Sequence, residues 1–400
     1  MVRVNQDKEA YKANLWKTYL FRFFRQFQFF TGVLVPFFTI WGGISFFQVM
    51  ILQAIFTLSI FFLEIPTGVV ADKFGRKTSL ILSGLVGILA VFVYSSHPNF
   101  WVFALGEFLW AIGVSLVSGA DQAMVYDSLR ELKKEKTSKK VFAKLHTVAL
   151  TAIMISAPIG SLIAKYFGLR ITMVLVAIPF FLSAVVACTL KEPTIGRKVS
   201  VKRKYFKTLK KGMLYFKNHS VLKIMVVDYV VISALVFFLI WVYQVKLQSL
   251  QVDIGAFGFV HAAMVLAQII ILNTFIPLEK FFGGKNKYIL FSALITGVAF
   301  IVVAFANNVY LAIAGILVAS AFGLTRKPLF LNYMNKFIRS GERATVLSAV
   351  SMVYSFSMAT VNLIAGYLVG LSLTYTLMGI GVLIIGFGLF SKLEEVHLID

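Results

Sequence analysis

Long apolar stretches, broken at near-regular intervals by turn residues or clusters of charge, dominate the pattern along this chain. They fall at 20–40, 45–68, 78–96, 100–125, 146–165 and 171–190, then at 221–243, 256–277, 288–306, 309–328, 344–370 and 373–391. Each approaches the ~20 residues a helix needs to cross a bilayer, so the pattern predicts an all-α membrane protein of twelve transmembrane helices. Continuous runs of this length exclude a β-barrel, whose strands alternate in polarity over ~10 residues. A basic stretch divides the runs six and six, predicting an N-terminal bundle over 1–190, a cytoplasmic linker at 191–218 and a C-terminal bundle over 219–400.

The second half echoes the first about 209 positions later. "GVVADKFGRKTSLILSG" follows the second span and "PLEKFFGGKNKYILFSA" (277–293) follows the eighth; each is a short basic loop with Gly, entering an apolar helix. "NKFIRSGERATVLS", after the tenth span, matches the basic stretch after the fourth. Two related six-helix halves predict a transporter that rocks about a central site.

Composition agrees: 59% of residues are hydrophobic and 14% charged, against about a quarter charged in soluble domains. Lys and Arg number 39 against 17 acids, a net charge of +22. The basic residues gather in alternate loops. Arg3, Lys8, Lys12 and Lys17 precede the first span, none lies near 41–45, Lys73, Arg76 and Lys77 follow the second, and none lies at 95–100. Through 130–144, 191–217 and 326–343 the alternation continues, which is the positive-inside pattern and predicts cytoplasmic termini. The charge is therefore topological, and nucleic acid is not expected as a partner. Cys188 is the single cysteine, so no intramolecular disulfide forms and no cysteine cluster points to a metal. "MVRVNQDKEAYK" lacks the features of a cleaved signal.

Residues 191–217 read as a solvated tether that also fixes orientation. The alternative is an interfacial helix, because Tyr205, Phe206, Leu209, Met213 and Phe216 interleave with basic residues and no acid, a pattern suited to anionic lipid head groups over 197–217.

At Gly68-x-x-x-Asp72-x-x-Gly75-Arg76-Lys77 the chain resembles the major facilitator superfamily, whose loop between spans two and three carries this signature. With "SGADQAMVYDSL" (118–129) and "ERATVLS" (342–348), it is similar to prokaryotic efflux-type permeases. The resemblance implies a conformational latch formed by Gly68, Asp72, Gly75, Arg76 and Lys77. The physics agrees: the glycines allow close approach, and Asp72 can meet a helix N-terminus or an Arg in one state and lose it in another. Lys73 reads as a topology determinant alone. Where drug–proton antiporters of the family carry Arg in span four, this chain has Glu107, and the Gly-Pro-rich pattern of span five is reduced to Ala157-Pro158-Ile159-Gly160-Ser161.

Glu64, Glu107, Asp121 and Asp228 fall within predicted spans. An ionised group near mid-membrane costs roughly 2.5–3.5 kcal/mol, so each must be protonated, paired or facing water. On one continuous helix, Glu107 and Asp121 lie within ~40° of each other and ~21 Å apart. All four are candidate proton-coupling groups, Asp121 and Glu107 leading; Asp121 and Glu64 also fit a cytoplasmic gate, and Asp228 a capping or paired role. "FRFFRQFQFF" places Arg22, Arg25 and Gln26 on one face of span one, with Arg22 snorkelling to the interface and Arg25 deep enough to pair with Glu64 or Asp121. Candidate cavity residues are Arg25, Gln26, Trp110, Tyr229, His261, Gln268, Tyr354 and Asn362.

These readings predict a secondary active transporter of a prokaryotic plasma membrane, a monomer without cofactor or metal, and not an enzyme. Its expected activity is proton-coupled export of a small amphipathic or cationic compound. The alternative is uptake of a nutrient or metabolite.

Overall fold

The computed structural model describes residues 2–194, 205–339 and 341–398, and these are helices joined by short turns and loops, with no strand among them. In lipid the backbone must satisfy its own hydrogen bonds, and helices do so within one segment. Among the described residues ten helices are long and apolar enough to cross a membrane, from Phe46–Phe74 to Thr345–Leu371, and Leu373–Leu389 is a shorter apolar helix. The first predicted span is divided between Val2–Gln26 and a helical segment over Leu34–Trp41. Together these account for the twelve predicted spans.

Local sequence sets many helix ends. Ser45 and Gln48 form a reciprocal capping box at the start of Phe46–Phe74. Asn99 accepts the Trp101 N–H at 2.8 Å, and Asn308 accepts the Tyr310 N–H at the same distance. These caps occupy equivalent places in the two halves, 209 positions apart (308 − 99). The same offset joins Ser83, which donates to the Leu80 carbonyl, with Ser292, which donates to that of Ile289. The repeat therefore extends from the loops into the helices.

Span four differs from the sequence expectation of one continuous helix over 100–125. It breaks into Phe100–Val117 and Ala120–Glu131 at Gly119, whose φ of +76° favours glycine. Near the break, the Leu116 carbonyl accepts the Ser79 hydroxyl at 2.6 Å. The helical phase between Glu107 and Asp121 consequently does not carry across Gly119.

Small residues bring helices together. A Cβ on Gly84 would sit 2.8 Å from that of Ala184, and one on Gly297 would sit 2.7 Å from the Gly381 carbonyl oxygen. Such close contact substitutes packing for the hydrophobic drive that lipid removes. After the sixth span, a helix runs over Tyr205–Asn218 where a tether was expected, and Phe216 packs against a core that includes Leu222, Tyr333 and Val346. The side chains of Tyr205, Phe206 and Leu209 lie outside the described residues. Two compact units result: Met1–Gln48, Ile55–Lys202 and Ile254–Phe259 form one, and Val49–Ala54, Arg203–Asp253 and Val260–Asp400 the other.

Candidate functional site

The signature loop joins Phe46–Phe74 to Arg76–Ser96 through Gly75, whose φ is +95°. The new helix begins with backbone N–H groups that have no partner within it. Glu192, just past the sixth span, accepts two of them, from Arg76 at 2.9 Å and from Lys77 at 2.8 Å. A Cβ on Gly75 would lie 3.0 Å from the Glu192 carboxyl carbon, so this glycine serves both the turn and the approach. The Arg76 side chain donates to the Ala123 carbonyl at 3.2 Å and forms an ion pair with Asp127. Asp72 is exposed, with Arg76 in its electrostatic reach. Gly68 is exposed, and its missing Cβ leaves open space.

Within the same unit lies a cavity of about 290 Å³, lined in part by Arg22, Arg25, Gln26, Gln28, Asp121 and Gln122. Arg22, expected to snorkel away, meets Asp121 at 3.1 Å, while Asp121 also accepts the Gln122 N–H at 2.7 Å. Arg25, expected to take such a partner, has none: all three guanidinium nitrogens lack a hydrogen bond, and the residue is 3% exposed. Its guanidinium carbon lies 4.0 Å from the Phe180 ring centroid and 5.5 Å from that of Trp110. Trp110 packs edge-on to Phe30 at 5.4 Å. Glu107 is buried and hydrogen-bonded to Tyr94, and Glu64 is exposed on Phe46–Phe74.

In the second unit, Asp228 pairs with Arg326 at 2.7 Å, and Ser391 donates to its other carboxylate oxygen at 2.7 Å. Arg326 also donates to the Ile289 carbonyl and the Ser292 hydroxyl, at 2.7 and 2.5 Å. Tyr229 and Tyr354 stack with centroids 5.3 Å apart inside that unit's core. His261 hydrogen-bonds the Tyr243 hydroxyl at 3.0 Å, and Gln268 turns back to the Met264 carbonyl of its own helix. Asn362 is buried with no partner for its side-chain oxygen.

The structure thus brings Arg25, Gln26, Asp121 and Trp110 into one neighbourhood, and holds Tyr229 and Tyr354 in packing. Sequence reasoning missed Glu192, Asp127, Arg326 and Glu395. Arg326 was counted among the loop charges of 326–343, yet it is 1% exposed. Glu395 accepts the backbone N–H groups of Lys285 and Asn286 at 2.9 and 2.7 Å, so it does for the ninth span what Glu192 does for the third. An acid shortly after the last apolar run of each half is the signal that could have found this pair.

The sequence matches the family described as the Major Facilitator Superfamily over residues 19–271. It is 23% identical over 240 residues to the uncharacterized transporter BU466 of Buchnera aphidicola, covering 60% of this chain and 58% of that protein. It is 25% identical to the chloramphenicol resistance protein CraA of Acinetobacter baumannii, over 72% of this chain and 68% of that one. A 150-residue stretch is 27% identical to the multi-drug resistance efflux pump PmrA of Streptococcus pneumoniae, 36% of either chain. The match with the Buchnera and Streptococcus proteins thus spans less than two thirds of their length. Among solved structures, the nucleoside transporter NupG aligns with a TM-score of 0.76 at 13% identity, over 95% of this chain and 97% of its own. A POT family peptide transporter gives 0.72 at 14%, over 94% of each. Such identities speak for the fold alone, but the fold, the signature loop and the family match agree: this chain belongs to the major facilitator superfamily of membrane transporters.

Proposed function

We propose that the protein is a secondary active transporter that works by alternating access and exports a small amphipathic compound in exchange for protons. One observation carries this reading. Asp121, a carboxylate whose charge a proton can cancel, is ion-paired with Arg22 on the wall of a cavity large enough for a small solute. Protonation of Asp121 releases Arg22, and deprotonation restores the pair, so proton occupancy and cavity charge are linked. The latch at Gly75, Arg76 and Asp127 is the element such a change would bias. Export, rather than uptake, is favoured by the relatives named as an efflux pump and a chloramphenicol resistance protein. Those relatives are bacterial, which supports a bacterial plasma membrane. Asp121 and Asp228 are each balanced by an Arg, so the acids inside the spans do not by themselves require a cationic substrate.

The test is reconstitution in proteoliposomes that hold a pH-sensitive dye. Under an imposed proton gradient, chloramphenicol and a set of lipophilic probes are added in turn. Dissipation of the gradient by at least one probe, lost in Asp121→Asn, is the expected result. A gradient that no probe disturbs, or one that Asp121→Asn dissipates as the unaltered protein does, sinks the reading.

A further inference from the structure

Among the described residues two arginines are buried, and they are held in opposite ways. Arg326, 1% exposed, has Asp228, the Ile289 carbonyl and Ser292 as partners. Arg25, 3% exposed, has aromatic faces and no acceptor for any of its nitrogens. Among the described residues no carboxylate forms an ion pair with it, and Asp121, on the wall of the same cavity, is engaged by Arg22. A buried guanidinium stays charged, and leaving its donors unmade costs several kcal/mol relative to water. Cation–π contact with Phe180 and Trp110 offsets part of that cost. The remainder asks for an anion.

Gly87 and Gly113 let the head group lie this deep: a Cβ on Gly113 would sit 3.1 Å from one terminal nitrogen, and one on Gly87 would sit 2.4 Å from the Phe180 ring and 3.5 Å from the other nitrogen. Room for an anion lies on the cavity side. Arg25 lines the 290 Å³ cavity beside Gln26 and Gln28, amide side chains that can donate to an oxyanion. Trp110, Phe30 and Phe180 supply flat apolar surface next to it. We propose that Arg25 is the anion-recognition residue of the substrate site, and that the substrate class is small organic acids: a carboxylate on a flat apolar body. The guanidinium lies against the rings; on binding it turns toward Gln26 and grips the carboxylate through two parallel N–H donors. This rests on the transport reading above and names the substrate class for the same cavity.

A matched probe set tests it: 1-naphthoate, 1-naphthalenemethanol and 1-naphthylmethylammonium, titrated by equilibrium dialysis against the purified full chain in detergent. The naphthoate is expected to bind about ten- to hundredfold more tightly than the ammonium, the factor one charge-assisted hydrogen bond is worth. Arg25→Met should lose that preference, and Arg25→Lys should keep part of it, with the charge but not the fork. Equal binding of acid and ammonium by the unaltered protein overturns the proposal without any variant. So does no binding of naphthoate, or unchanged naphthoate binding by Arg25→Met. Because the titration needs no gradient, its failure leaves the transport reading standing, whereas a failed proteoliposome test with naphthoate still bound keeps Arg25 as an anion site and removes only its service to transport.

Discussion

The carboxylate of Glu192 accepts the backbone N–H of Arg76 at 2.9 Å, although 116 residues separate them in the chain. It ties the end of the sixth span to the start of the third, at the turn where the signature loop closes. An anion at a partly buried helix N-terminus stabilises by up to ~2 kcal/mol. Glu192→Ala is therefore expected to cost about 1–2 kcal/mol, read as a fall in the thermal midpoint of the purified protein. Glu192→Gln should recover little of it, because the amide oxygen carries no charge. An unchanged midpoint in Glu192→Ala would show that the cap contributes nothing.

The pair formed by Asp228 and Arg326 is expected to behave as a closed unit. Removing one member of a buried pair strands the other charge and costs roughly 3–5 kcal/mol, whereas replacing both by apolar groups can be neutral. Arg326→Met alone should sharply lower folded yield, and Arg326→Met with Asp228→Leu should restore most of it. Size-exclusion profiles of the two variants decide the matter: a double variant no better than the single one contradicts the prediction.

Gly160 and Gly68 should respond to alanine in opposite ways. A Cβ on Gly160 would lie 1.6 Å from the Phe29 carbonyl oxygen, so Gly160→Ala must push its helix away from the turn that holds Phe29. Overpacking of this kind costs about 1–3 kcal/mol or more. Gly68 has open space at its Cβ and sits inside a helix, where alanine gains roughly 0.5–1 kcal/mol. If the latch needs a close approach at Gly68 in another state, Gly68→Ala will raise the thermal midpoint yet slow transport. A variant that is both more stable and fully active would remove Gly68 from the gate.

Arg22 is expected to be tolerant of exchange only with its partner. Arg22→Gln leaves Asp121 buried without a cation, and proton-driven flux in proteoliposomes should fall at least tenfold, about 1.4 kcal/mol of coupling. The swapped pair, Arg22→Asp with Asp121→Arg, should regain folded yield but not flux, because the titrating group has moved to another helix. Full flux in the swap would place the proton elsewhere.

Much of the fold was legible because span length and loop charge are one-dimensional properties, set by bilayer thickness and by the cost of moving Lys and Arg across it. The 209-residue repeat was legible for the same reason. Pairing was not. Arg22 and Arg25 share a face of one helix, and which of them meets Asp121 depends on helix rotation and on the break at Gly119, neither of which spacing fixes. Arg326 looked like one more loop cation because its partner lies 98 residues away. Asp121, Asp228 and Glu107 are held by Arg22, Arg326 and Tyr94, so their presence inside the spans said little about what the protein carries.

Glu395 lies past the last apolar helix, in a stretch that would ordinarily be treated as a tail. Since it clasps the start of the ninth span, that stretch is working structure. Reporter proteins or affinity tags joined straight after Phe390, and truncations made there, would take Glu395 away from the helix start it caps; fusions placed beyond Leu398 are expected to keep the clasp.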